Sequence, residues 1–345
     1  MKKGQLSILI IAITIGVILL SGCVSPDSND TPTDNETSSN GDEHTDLTEL
    51  TFGYQPSTHQ IAYMTADVKG WWLEDLAPFG ITRINDIEFP TGAPEMQAML
   101  AGHIDVAYVG AAPVISALDK GLDAKIVAAV QTQGSNLVLR PEITYEGPED
   151  LKGLKLATFP PGTIQDTLLK DWLKKNGIDP DNDVEILGMG PGDAITAISA
   201  GKVDGVFLPH PAPAIIESEG RGRSVVASGE MVPDHACCVL VVSGNLIREE
   251  PELVSQIVQT HIKATDYNTA HIDEASKIFA EMTGWDIEVV DKSLAEWDGA
   301  WICDPNPIIG STVNYTQVQH ELGYIDNPLT EEEIFDTSFY EAVKQ

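Results

Sequence analysis

Residues 98–109 read AMLAGHIDVAYV, and residues 197–208 read AISAGKVDGVFL. Ala98, Ala101, Gly102, Asp105, Tyr108 and Val109 have counterparts 99 positions later in Ala197, Ala200, Gly201, Asp204, Phe207 and Leu208. One residue out of step, Pro113 and Ile115 recur as Pro213 and Ile215. Each copy reads as a helix end, a glycine suited to a left-handed stop, an aspartate, and then an apolar strand of the kind found inside parallel sheets. A copy needs about a hundred residues, which is too long for a solenoid unit. The chain therefore reads as two α/β lobes built on one plan.

The surrounding pattern extends that plan. Strands are expected over 50–54, 84–89, 104–109, 125–130 and 136–139. A second series is expected over 155–159, 184–187, 203–208 and 225–227. A long helical stretch is expected from Ser57 or Thr58, as N-cap, to residue 76. Further helices are expected over 93–101, from about Pro113, over 163–176 and over 194–200, with Gly102, Gly177 and Gly201 as terminators.

In open α/β sheets, ligands sit beyond the carboxyl ends of strands, where helix starts present unpaired N–H groups. Two such lobes facing each other make a cleft. The loops at those strand ends supply the candidate ligand contacts. Gln55, Ser57, Thr58 and His59 follow the first strand. Gly110, Ala111 and Ala112 form a small-residue loop through which a ligand can approach backbone N–H groups. Gly162 and Thr163 are the matching pair in the second lobe, with Thr163 both helix cap and hydroxyl donor. His210 ends an apolar strand. It would pair with an anion if protonated and make one hydrogen bond if neutral. Asn136, beside Ser135 at the crossover, offers an amide. Each has a structural alternative: capping for Ser57 and Thr58, tight packing for the small residues, a core role for His210, bracing for Asn136. Trp71 and Trp72 read as core. Trp297 and Trp301 are spaced for one helix face.

The whole chain carries 53 acidic and 20 basic residues among 345, a formal charge of −33. That balance repels nucleic acid and anionic membrane surfaces. The amino end carries Lys2 and Lys3, an apolar run over 8–20, and Leu20-Ser21-Gly22-Cys23. The run is short for a spanning helix and its flanks suit an export signal. The Leu-Ser-Gly-Cys ending resembles a lipobox, in which Cys23 would be lipidated. Residues 24–48 are polar and cannot bury enough surface to fold, so they read as a tether. Of the other cysteines, Cys237, Cys238 and Cys303, an oxidising location permits one disulfide, and buried free thiols are an equal alternative. Their spacing carries no zinc motif. There is no nucleophile elbow, metal motif or paired-acid signature, so no catalytic residues, cofactor or metal are expected.

Five segments carry a family resemblance: GYQPSTHQ (53–60), AMLAGHIDVAYVGAAPVISALDKG (98–121), DLKGLKLATFPPGTIQDTLLKDWLKKNGID (150–179), AITAISAGKVDGVFLPHPAPA (194–214) and HELGYIDNPLTEEEIFDTSFYEAV (320–343). From about residue 49 onward the chain resembles the nitrate/sulfonate/taurine-type periplasmic binding proteins, which include receptors related to thiamine-precursor uptake. The resemblance implies a two-lobed type II periplasmic-binding-protein fold with two crossovers and a ligand cleft between the lobes. The expected division is 1–22 export signal, 23–48 tether, 49–137 with 240–345 as lobe 1, and 138–239 as lobe 2, with the helical tail on lobe 1. The implied function is a lipid-anchored, extracytoplasmic, monomeric solute-binding protein of an ABC importer. Its partners would be a small-molecule ligand and a permease–ATPase complex. The implied ligand is a small organic or inorganic anion taken up by cleft closure. A neutral pyrimidine-like ligand and a sensing role stand as alternatives, because His210-Pro211 departs from the family pattern and these loops lack Arg and Lys.

Overall fold

The structure, a computed structural model, describes residues 47–344. The expected export signal, Cys23 and the tether up to residue 46 lie outside them. No helix among the described residues is long and apolar enough to cross a membrane.

Among the described residues, eleven strands form two sheets: β1 Glu49–Tyr54, β2 Arg83–Glu88, β3 Val106–Gly110, β4 Ala124–Thr132, β5 Ser135–Leu139, β6 Lys155–Thr158, β7 Glu185–Gly188, β8 Gly205–Pro209, β9 Arg223–Ala227, β10 Ala236–Ser243 and β11 Ala300–Trp301. The first sheet runs β11-β4-β10-β3-β1-β2 and the second β7-β6-β8-β5-β9. Without the short β11, the two orders are the same. Three parallel strands (β2-β1-β3 and β7-β6-β8) are followed by one antiparallel strand and then a last edge strand. This is the type II binding-protein arrangement that the family resemblance implies, built on the two lobes expected from the repeat.

The inserted antiparallel strands, β10 and β5, are the two crossovers. Each is buried along almost its whole length and pairs on both sides. A central strand cannot divide between sheets without leaving buried N–H and C=O groups unpaired. The chain therefore changes sheet at Gln133-Gly134 and again between Ala227 and Ala236, a few residues ahead of the expected junctions at 137/138 and 239/240.

The repeated residues do matched work. Gly102 and Gly201 stop their helices at φ 75° and 64°. Asp105 accepts from the Thr51 N–H (2.8 Å) and Asp204 from the Lys155 N–H (2.9 Å), so each tethers the third strand of its lobe to the first. These carboxylates hold sheet register, which is why they recur.

Three expectations about helices change. The stretch from 57 to 76 is a turn at Thr58–Gln60, a helix at Ile61–Val68 and a second helix at Trp71–Leu76. Gly70, at φ 70°, breaks it, and the Trp72 indole then donates back to the Tyr63 carbonyl. Trp297 and Trp301 do not share a helix. The helix Ile287–Glu296 ends before Trp297, and Trp301 lies in β11, although their ring centroids are 5.5 Å apart. The helical tail packs on the Ile61–Val68 helix of the first half through Pro251–Ala270 and Ile272–Thr283. Ile287–Glu296 and Asn306–Glu321 also reach the second-half helices Ala212–Ser218 and Ile164–Lys175. Of the two cysteine alternatives, free thiols are present: Cys237, Cys238 and Cys303 are unpaired.

Candidate ligand-binding site

A cavity of about 160 Å³ lies where the strand ends of the two sheets face each other. The loop after β1 contributes Gln55, Ser57, His59 and Gln60, and β3 ends in it at Gly110. From the second half come Phe159, Thr163 and Gln165 after β6, and His210 after β8. Cys237 and Cys238 of β10 and Trp285 also line it. Of the residues singled out from sequence, the structure brings Gln55, His59, Gly110, Thr163 and His210 together around this cavity.

Thr58, Ala111, Ala112, Asn136 and Gly162 are not among its lining residues. Thr58 is buried, and its carbonyl accepts from the Trp301 indole (3.0 Å). Ala111 and Ala112 are fully buried in the first turn of the helix Ala111–Asp119. Asn136 lies inside β5, and its amide donates to Ser224 Oγ (3.0 Å). Gly162 lines a neighbouring cavity with Ser116 and Tyr324. Its carbonyl accepts from Gln319 Nε2 (3.1 Å), which also donates to the Ala112 carbonyl (3.1 Å). One amide thereby ties the loop after β3 to the loop after β6.

The polar groups facing the cavity are neutral or already engaged. Gln55 Nε2 donates to Glu95 Oε2 (2.8 Å). Burial pushes the Glu95 carboxyl well above its ordinary range, against the opposing effect of that bond. Thr163 caps the helix Ile164–Lys175 and donates its hydroxyl proton to the Pro160 carbonyl (2.7 Å). It therefore meets a solute as an acceptor. The donors at this wall are the first-turn N–H groups of Ile164 and Gln165, which have no intrahelical acceptor. His210 Nδ1 pairs with Ser293 Oγ (3.0 Å), and its Nε2 is buried without a partner. Burial, followed by the nearby His59, lowers its pKa to about 3, so the ring is neutral and offers one hydrogen bond rather than a charge. Among the described residues, no lysine or arginine lines the cavity.

His59 is the most constrained group. Its Nε2 lies 2.8 Å from the Gly134 carbonyl, which can only accept, so Nε2 carries the proton. The Nδ1 lone pair is left facing Cys237 Sγ at 3.4 Å and Cys238 Sγ at 3.8 Å. Interaction between the two adjacent thiols sets Cys238 below and Cys237 above the usual thiol range, with burial adding to the rise at Cys237.

His235, two residues before Cys237 in sequence, does not join this group. That ring instead bonds to the Ala236 carbonyl (2.9 Å) and Tyr315 hydroxyl (3.0 Å). Successive residues of a regular strand point to opposite faces. Here Ala236 and Cys238 pair with the adjacent residues Thr132 and Gln131, which leaves Cys237 as the extra residue of a bulge. The bulge re-aims the vicinal thiols toward one imidazole. Among the lining residues sequence reasoning missed are Gln60, Phe159, Gln165, Cys237, Cys238 and Trp285, and of these the adjacent cysteines carried a sequence signal.

The crossovers beside this site are clamped by one carboxylate. Asp298 accepts from the Gly134 N–H (2.8 Å) and the Gly229 N–H (2.6 Å). Its backbone carbonyl also accepts from Gln133 Nε2.

Comparison with known proteins gives a consistent picture. The sequence model described as the NMT1-like family matches residues 43–283. A protein of Bacillus subtilis (strain 168), named for binding aliphatic sulfonates, is 25% identical over 341 residues, covering 98% of this chain and 96% of its own. The alkanesulfonate-binding protein SsuA from Xanthomonas axonopodis pv. citri, solved bound to MOPS, aligns with a TM-score of 0.74 at 20% identity, over 83% of this chain and 98% of that one. The periplasmic nitrate-binding protein NrtA from Synechocystis PCC 6803 aligns with a TM-score of 0.75 at 15% identity, over 86% and 88%. All three are named as binding proteins, not enzymes, and the two solved structures share the fold described above.

Proposed function

This chain belongs to the NMT1-like family, and from that premise we propose that it is the extracytoplasmic solute-binding component of an ABC importer. It captures a small sulfonate-, taurine- or nitrate-class anion by closing two lobes around it, and delivers it to a permease–ATPase complex. The chain acts as a monomer tethered to the membrane through a lipid on Cys23, and residues 24–48 give it reach. The two sheets and their surrounding helices are the two lobes.

The observation that carries this reading is the cavity itself. It lies at the strand ends of both sheets and is lined from both halves by Gln55, His59, Gly110, Thr163 and His210. Donors from one half complete the shell offered by the other, so a bound solute favours the closed arrangement over any open one. The N–H groups at the start of the helix Ile164–Lys175 meet the anionic head of the solute.

A thermal-shift panel of nitrate, taurine, alkanesulfonates, bicarbonate and an uncharged pyrimidine tests the proposal. A solute at a hundred times its Kd adds about 2.7 kcal/mol, a rise of several degrees in Tm. No rise with any member would overturn the reading. A rise with the pyrimidine alone would replace the anion with a neutral ligand.

A further inference from the structure

Resting on that solute-binding reading, we infer that His59 Nδ1, Cys237 Sγ and Cys238 Sγ form a site for one zinc ion in the wall of the cavity, with a fourth coordination position open to the solute. The three donor atoms lie within 4.8 Å of one another and all three residues are buried. Zinc–sulfur and zinc–nitrogen bonds of about 2.3 and 2.0 Å at tetrahedral angles place a nitrogen and a sulfur roughly 3.5 Å apart. The observed nitrogen–sulfur separations are 3.4 and 3.8 Å.

The surroundings are built to the same end. The Gly134 carbonyl accepts a hydrogen bond from Nε2–H and so turns the Nδ1 lone pair of His59 toward the sulfurs, as outer-shell acceptors do for zinc-bound imidazoles. Gln60 Nε2 donates toward Cys238 Sγ at 3.7 Å, and Gln60 Oε1 is itself fixed by the Gln55 N–H at 2.6 Å. The bulge at Cys237 interrupts a central ladder to bring two adjacent thiols to one face. Two thiols and one imidazole suit a soft or borderline cation and not magnesium or calcium. All three residues also line the solute cavity, so the fourth position opens where a solute sits.

Binding displaces the two thiol protons to solvent. Zinc with two thiolates and a neutral imidazole is uncharged overall, which suits a buried site. Its open position accepts one oxygen of the solute by coordination. That accounts for anion capture in a cavity lined by no lysine or arginine.

The test uses the full chain, reduced with a phosphine and titrated with Co²⁺ as a spectroscopic probe and with Zn²⁺. One equivalent of Co²⁺ is expected to give a thiolate charge-transfer band that Zn²⁺ abolishes, and Cys238→Ser is expected to weaken binding at least tenfold. Should that variant fail to fold, X-ray absorption of the zinc-loaded wild type decides, with two sulfurs at about 2.3 Å and one nitrogen at about 2.0 Å expected. A shell of oxygen and nitrogen alone, or no thiolate band, overturns the site. A solute that raises Tm yet leaves the cobalt spectrum unchanged overturns the open position and leaves solute binding standing. A thiolate-ligated metal with no response to any solute sustains the site and counts against the solute reading.

Discussion

Replacing Asp298 with asparagine isolates the clamp on the crossovers. The native carboxylate accepts the Gly134 N–H at 2.8 Å and the Gly229 N–H at 2.6 Å, one from each segment where the chain changes sheet. An asparagine keeps one acceptor oxygen and turns an NH₂ group toward the other N–H. A hydrogen bond to a charged group is worth about 1.5–3 kcal/mol net. One such bond is lost and the other loses its charge assistance. Asp298 is only half-buried, and solvent screening favours the low end. The expected cost is about 2 kcal/mol. At roughly 2–4 °C per kcal/mol for a folded unit near this size, Tm should fall by roughly 4–8 °C. Gly229 leaves no room to relax inward, since a Cβ there would sit 2.7 Å from Asp298 Oδ2. The bond from Gln133 reaches the backbone carbonyl of residue 298 and survives the substitution, so the side chain alone is tested. Urea and thermal unfolding of Asp298→Asn against wild type measure the loss. A variant within about 0.5 kcal/mol of wild type, the range of an ordinary surface change, would refute the claim that this carboxylate holds the crossovers.

Two further outcomes are expected. His261 is fully buried, with Nε2 2.8 Å from the Ala129 carbonyl and Nδ1 3.0 Å from the Tyr108 hydroxyl, and burial lowers its pKa to about 4. Between pH 6.5 and 4 the unfolded chain binds a proton that the folded one refuses, so stability falls as pH drops through that window, by roughly 3 kcal/mol for this residue. Urea midpoints of His261→Gln should show an acid loss smaller by about that amount, and an unchanged acid slope would count against the assignment. Gly134 has φ 80°, and an added Cβ would lie 2.5 Å from Gln131 Nε2 and 2.8 Å from His59 Nε2. Gly134→Ala should cost at least about 2 kcal/mol in a thermal melt, from left-handed strain plus the clash; an equally stable variant would show that the crossover has room to move.

The repeat made the fold legible because its residues serve local geometry. Gly102 and Gly201 stop helices, and Asp105 and Asp204 bond the first strand of their own lobe, so neighbouring letters carry the signal. The crossovers were harder. Residues 135–139 and 236–243 are apolar strands throughout, and nothing in such a run says which sheet will take it. Gly70 was one glycine within a stretch of helix formers, and only its left-handed backbone shows the break. The four-residue spacing of Trp297 and Trp301 fits a helix face, but the helix ends at Glu296. In the site, the strand-end loops were readable because parallel sheets place them predictably. The meeting of His59 with Cys237 and Cys238 was not, for it joins residues 178 and 179 positions apart through a bulge that breaks strand alternation.

The two places where the chain changes sheet also govern the order in which the sheets can be completed. All five strands of the second sheet come from one continuous stretch, β5 to β9, so that half holds its whole ladder as soon as residue 227 has been made. In the first sheet, β10 lies between β3 and β4, and those two edges stay apart until a strand encoded about a hundred residues later arrives. Closing so long a loop is slow compared with local pairing. During synthesis the second sheet can close first, while the apolar edges of β3 and β4 stay open to wrong partners until residue 243 emerges.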